Sequence, residues 1–350
     1  MSQTPAQLGF SMPAEWERHE RTWMEFPSAT ETFGEAGSDS LEFYRGVWAS
    51  VTNAIAEFEP VSLVANIGEG AAARALMHPN VTVHEMLINE AWFRDSGPTF
   101  LRSATGEIAA THWTFNGWGD AGFSEWGLEQ HVGAMAAELA GVPVFSSRMV
   151  NEGGGIHVDG QGTVIITETV QLGVDRNPGW THVQVEAELQ AFLGIEKVIW
   201  IPRGLTKDYD RFGTRGHIDI VASFVRPGLL VAHRQPDPSH PDYEVCIENI
   251  GIVRASRDAR GRQLEVIEID APTVLEVDGE IVDYSYINHY ICNDAVILCS
   301  FDDPRDEAAA NTLAPLFPGR KIVMVDARHI FECGGGIHCI TQQQPASGRV

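Results

Sequence analysis

EGGGIHVDGQGTVIIT, residues 152–167, is the stretch from which the architecture can be read. It opens on an acidic residue and three glycines, turns at Asp159–Gly160, and ends in the apolar run VIIT. Asp-Gly supplies the conformations that a tight hairpin demands, so the segment reads as strand–turn–strand behind a Gly-rich polar element. The plan recurs along the chain. It is seen in FRDSGPTFLRSATGEIAA from Phe93, GHIDIVASFVRPGLLVA from Gly216, YINHYICNDAVILCS from Tyr286 and GGGIHCITQQQ from Gly334. The turns in the complete repeats are TG, DG, PG and ND, which permit positive φ or fix a tight reversal.

Between the hairpins the apolar spacing changes to that of helices, in WGLEQHVGAMAAELAG (126–141), HVQVEAELQAFLG (182–194) and RDEAAANTLAPLF (305–317). Each is followed by a short β-rich run: VPVFSS, EKVIWIP and RKIVMVD. Helix, strand and hairpin thus repeat about every 50–70 residues, which predicts a modular α/β repeat rather than a Rossmann sheet. If the repeats close into a ring, the polar residue at each hairpin start faces one axis. Asp95, Glu152, His217 with Asp219, Asn288 and Cys339 would then converge. No linker or charge block divides residues 1–350, so one domain is expected.

Composition narrows the function. The formal net charge is −24, with 24 Lys and Arg against 48 Asp and Glu. That excludes the clustered basic surface a nucleic acid requires and suits a small cationic substrate. Apolar runs such as GLLVA (228–232) and DAVILCS (294–300) are strand-sized, so no membrane partner is expected. The first residues, MSQTPAQLGFSMPAEW, lack the basic and apolar regions of a secretory signal, which places the expected location in the cytoplasm. Five cysteines in such a chain are expected to be reduced thiols, one of them available for catalysis.

Of these, Cys246, Cys292 and Cys299 read as buried structural residues. Cys339 differs, because CGGGIHCITQQQ places it behind glycines that allow close backbone approach and ahead of polar residues. Its reactive form is the thiolate, which needs a favouring charge or base. His217 and Asp219 stand two apart in TRGHIDIV, a spacing that puts imidazole and carboxylate on one face if the segment opens a strand. Asp95 lies where an aromatic run meets a Gly–Pro turn, and Arg94 is its ordinary turn partner. Glu152 precedes Gly153, Gly154 and Gly155, whose crowding argues against simple exposure. Cys333, His338 and Cys339 lack a second ligand pair at zinc-site spacing. GEGAAAR (68–74) lacks the lysine and hydroxyl of a phosphate loop. EGGG and CGGG open no convincing helix, as a dinucleotide site requires. Neither a metal nor an organic cofactor is therefore expected.

Ten segments in order carry a family resemblance: MPAEWERHERTWMEFP, AWFRDSGPTF, THWTFNGWG, EGGGIHVDGQGT, DRNP, IWIPRGL, RGHID, YINHYI, FPGR and GGGIHCITQQQP. From Met12 to Pro345 the chain resembles agmatine deiminases and their peptidylarginine-deiminase-like relatives. The resemblance implies the five-fold pseudosymmetric α/β-propeller (pentein fold) of guanidino-group-modifying enzymes. By position, Cys339 resembles the nucleophile, His217 the general acid/base, and Glu152 the acid that orients it. Asp95 and Asp219 resemble the carboxylates that grip the guanidinium, with Trp92 beside them in the substrate site. The implied reaction is agmatine and water to N-carbamoylputrescine and ammonia, through a covalent thiouronium. Deimination of another guanidino compound, amidino transfer to an amine, and guanidinium binding without catalysis are the alternatives. A homodimer is expected on general grounds for soluble enzymes.

Three departures touch the family pattern. Gly336 stands where GGGNIHC has Asn, Ile220 where DETxGHVDN ends in Asn, and His289 at the aromatic position of a YINFYI-like segment. In addition, KDYDRFGTRGHIDI makes a longer approach to the histidine. It carries Arg215, which would pair a substrate carboxylate if it faced the cleft, or Asp208 or Asp210 if it did not.

Overall fold

The computed structural model describes residues 3–120, 122, 126–274, 276–277 and 279–348. Its organisation is one three-stranded unit used five times. In each unit a first strand runs antiparallel to a second, and the second is joined through an outer helix to a parallel third. Thr99–Ser103, Ile108–Thr114 and Val144–Val150 make one such unit. His157–Val158, Thr163–Thr167 and Lys197–Ile201 make the next. Ala222–Arg226, Leu229–Arg234 and Glu265–Asp270 follow, then Tyr290–Ile291, Ala295–Ser300 and Lys321–Asp326.

The fifth unit joins the two ends of the chain. Thr341–Pro345 pairs antiparallel with His19–Glu25 in the register Thr341↔Met24, and His19–Glu25 is parallel to Val61–Ala65. The crossover helices are Asp39–Ala56, Val132–Leu139, His182–Leu193, Asp242–Ala255 and Asp306–Leu313. A two-stranded hairpin, Glu276–Val277 with Glu280–Ile281, is inserted before the unit that begins at Tyr290.

Local chemistry explains the elements. His182–Leu193 starts from a capping box between Thr181 and Gln184 and stops at Gly194, whose φ of 69° is left-handed. It buries Val185, Leu189 and Leu193 at helical spacing, each burial contributing roughly 1.5–3 kcal/mol. Hairpin reversals fall on Gly160 (φ 68°) and Gly228 (φ 82°), the DG and PG turns read from sequence. The middle strands Thr163–Thr167, Leu229–Arg234 and Ala295–Ser300 are almost wholly buried, and Val61–Ala65 is buried throughout, which is why these strands read as unbroken apolar runs. The largest apolar cluster runs from Met24 and Trp48 through Phe224 and Leu230 to Leu298 and Phe331, and it includes Trp92 and Cys339. No helix among the described residues is long and apolar enough to cross a membrane.

One local expectation is corrected. His217 and Asp219 do not open a strand: Ile218–Ile220 is a single 3-10 turn, and the strand begins at Ala222. Buried Asp208 is the cause. Its carboxylate accepts the backbone N–H groups of Thr214, Gly216 and His217, at 2.6, 2.6 and 3.1 Å, and curls the chain before pairing can begin.

Candidate active site

The polar residues at the five hairpin starts do converge. Asp95 comes from the one-turn helix Phe93–Ser96, and Glu152 caps the Gly153–Gly155 turn. His217 and Asp219 flank the turn just described, Asn288 precedes Tyr290–Ile291, and Cys339 precedes Thr341–Pro345. All are buried. Cys339 Sγ lies 3.4 Å from Asp219 Oδ2 and 3.2 Å from Asn288 Nδ2. His217 Nε2 is 3.3 Å from Glu152 Oε2, and His217 Nδ1 is 3.8 Å from Asp95 Oδ2.

The glycines make this approach possible. A methyl group on Gly154 would lie 2.5 Å from His217 Nδ1, 3.0 Å from Asp219 Oδ2 and 3.1 Å from Asp95 Oδ1. The N–H of Gly154 itself donates to Asp95 Oδ1 at 2.9 Å. On the opposite wall a methyl on Gly335 would meet Trp92 at 2.8 Å and Cys339 Sγ at 3.0 Å. Gly336 packs against Asn288, whose Oδ1 would lie 2.4 Å from a Cβ there. The Phe331 ring would lie 2.7 Å from the same Cβ, so the Asn of the related motif has no room in this chain unless both Asn288 and Phe331 move.

Each group is set by its surroundings. Glu152 is buried, yet the Arg176 guanidinium at 2.8 Å and the His217 imidazolium hold its carboxyl down at about 2. Burial disfavours a charged His217, but Asp95, Glu152 and Asp219 outweigh it and raise the imidazole to about 9. Burial pushes the Asp95 carboxyl up, while Trp118 donates to its Oδ2 at 2.8 Å. Against the cost of burial, His338 holds Asp219 ionised, with Nδ1 at 2.9 Å. His338 is braced from behind by Glu15, 3.0 Å from Nε2. Burial and the fields of Asp219 and Asp95 raise the Cys339 thiol well above its ordinary value. Among the buried side-chain atoms that make no hydrogen bond with a described residue, two belong to this cluster, His217 Nδ1 and Asp219 Oδ1. Both residues line the narrow space that Cys339 also lines.

Glu15, His157 and His338 are close enough to hold a cation. They are already committed to charge partners: Arg94 Nη1 lies 3.5 Å from Glu15, and His338 bridges Glu15 to Asp219. Arg94 thus serves Glu15 and the carbonyl of His338 at 3.2 Å, leaving Asp95 to face the site. The other four cysteines are buried thiols; burial pushes Cys246, Cys299 and Cys333 to about 12 and Cys292 higher still.

Comparison with known proteins places this geometry. The profile of the Porphyromonas-type peptidyl-arginine deiminases matches residues 11–345. The chain belongs to that family. Within the deiminase family, a Streptomyces avermitilis protein provisionally named an agmatine deiminase is 56% identical, over 98% of this chain and 99% of its own. The agmatine deiminase of Pseudomonas syringae pv. tomato is 38% identical, over 99% of this chain and 98% of its own. The structure of the Enterococcus faecalis agmatine deiminase matches with a TM-score of 0.93 at 33% identity, covering 100% of this chain and 99% of that one. The deiminase family's five-unit α/β-propeller is the fold of this chain.

Against this frame the site residues expected from sequence sort cleanly. Cys339, His217, Glu152, Asp95 and Asp219 form one cluster, and Trp92 lines the narrow cavity over Cys339 with Trp118 and Phe212. Arg215 does not join them. It is exposed, held at a left-handed φ of 67°, and its guanidinium pairs with Asp175 rather than Asp208 or Asp210. Asp208 was not free to receive it, because backbone N–H groups occupy its carboxylate. Arg176, Trp118, His338 and Glu15 had no role assigned from sequence, though each sits in a segment of the resemblance.

Proposed function

We propose that this chain is an agmatine deiminase, a single catalytic unit built on the ring, with Cys339 as nucleophile. The observation that carries the reading is that His217 Nδ1 and Asp219 Oδ1 are buried without a hydrogen bond from any described residue, on side chains that line the same narrow space as Cys339. A guanidinium is a planar cation with a fork of N–H donors, and Asp95 and Asp219 supply acceptors for it. Its positive charge offsets the two carboxylate fields that help hold the thiol neutral, so binding drives the thiol proton out to solvent and leaves the thiolate beside the guanidinium carbon. The names of the relatives support agmatine as the guanidine.

Sulfur then attacks the guanidinium carbon to give a tetrahedral adduct. His217 enters protonated and is held by Glu152 through Nε2, so Nδ1 delivers the proton to the departing nitrogen, and ammonia leaves. A covalent thiouronium remains. His217, now neutral, takes a proton from water; the hydroxide adds to the same carbon, the C–S bond breaks, and the urea product departs. Arg176 acts on this sequence through Glu152, and His338 through Asp219.

Ammonia release from agmatine, arginine, methylated arginines, arginine peptides and simple guanidines tests the reading. Preference for agmatine is expected, with N-carbamoylputrescine as product whether or not an acceptor amine is present. A new amidino compound in the presence of the amine would point to transfer instead, and no ammonia from any of them would sink the activity.

A further inference from the structure

A second cavity, of about 650 Å³, adjoins the reacting centre. Asp283, Phe331 and Gly334 line both this vestibule and the narrow space that reaches His217, Asp219 and Cys339. Asp283 therefore stands at the junction between the two. It lies just after the hairpin Glu276–Val277/Glu280–Ile281, the insertion that interrupts the otherwise regular succession of units.

Most acids of the vestibule already have side-chain partners. Lys207 Nζ lies 3.1 Å from Asp210 and 3.4 Å from Glu280, and His329 Nδ1 is 2.8 Å from Glu332. Asp283 makes no hydrogen bond or ion pair with a described side chain. Its carboxyl is raised to about 7, first by burial and then by the fields of Asp208 and Asp242, with Lys207 opposing them. An unpaired carboxylate at such a place is costly unless a cation arrives with the ligand. Tyr284 and Phe331 give the same cavity apolar walls suited to a methylene chain.

We propose that Asp283 receives the primary ammonium at the far end of the substrate and selects decarboxylated guanidines over arginine. The assignment rests on the agmatine reading of the site. A guanidinium seated between Asp95 and Asp219 sends its alkyl chain past Phe331 and Gly334, and its ammonium, with three donors, meets Asp283. Arginine would bring a carboxylate to the same place, against Asp283 and Asp208. Preference for agmatine then comes from a repulsive element as much as an attractive one.

The test is steady-state kinetics of the wild-type chain and Asp283→Asn on agmatine, arginine and butylguanidine, which keeps the guanidine and chain but lacks the ammonium. Losing one charge-assisted contact should raise KM for agmatine about 10–100-fold with kcat little changed. The kcat/KM for butylguanidine should stay within about twofold, which also reports that the variant is folded. The arginine-to-agmatine ratio of kcat/KM should rise. Equal effects of the substitution on agmatine and butylguanidine would overturn the assignment to Asp283. Wild-type turnover of butylguanidine without turnover of agmatine would instead sink the substrate reading on which it rests.

Discussion

At Gly154 a single methyl group would stand among three of the reacting side chains, closest to His217 Nδ1 at 2.5 Å. Gly154→Ala is expected to cut kcat/KM by at least about a hundredfold, since small displacements of a reacting group carry penalties of that order. Circular dichroism should remain native-like; a variant with near-normal turnover would mean the pocket is far softer than its packing implies. Cys339→Ala should abolish turnover and leave the fold intact, and Asp95→Asn or Asp219→Asn should lower affinity and rate together. Protons give a second handle. His217 must enter as the acid, so kcat/KM should fall as pH rises through about 9. The same shifts govern stability. The raised His217 contributes fully below its ordinary range near 6.5, and the contribution is lost as pH climbs toward about 9. The depressed Glu152 contributes above about 4.5 and is lost as pH drops toward about 2. These two groups predict a Tm profile flat between about pH 4.5 and 6.5 and falling on both sides; a Tm still rising at pH 9 would contradict the His217 assignment.

Among the local elements, the Gly-rich starts of the hairpins were legible and the contacts behind them were not. The DG and PG reversals, the helix closing at Gly194 and the convergence of Asp95, Glu152, His217, Asp219 and Cys339 all follow from local pattern plus a closed ring. Arg176 was hidden because nothing in DRNP says that its guanidinium turns inward to Glu152, 24 residues earlier. Glu15 and His338 touch across 323 residues, a pairing no local spacing encodes. The strand expected at His217 failed for a local reason, the carboxylate of Asp208, whose partners lie six to nine residues on. Glu152→Gln removes the charge that neutralises fully buried Arg176, so a loss of about 3–5 kcal/mol is expected from chemical denaturation, alongside the loss of rate. An unchanged midpoint would show that Arg176 finds water or another acceptor.

Across the whole molecule, the ring depends on one seam. Thr341–Pro345 completes the unit built by His19–Glu25, Trp23 Nε1 donates to Gln344 Oε1 at 2.8 Å, and Ala346 N–H reaches Arg18 O at 2.8 Å. Removing residues 341–348 should leave the edge of His19–Glu25 open, and light scattering should report aggregation rather than a stable shortened ring. The seam also orders events during synthesis. Four units can leave the ribosome and collapse while the fifth still lacks its inner strand. The nucleophile comes in the same dozen residues as that strand. A nascent or prematurely ended chain would thus carry the carboxylates and the histidine but no sulfur to attack with, so chemistry and completeness arrive together.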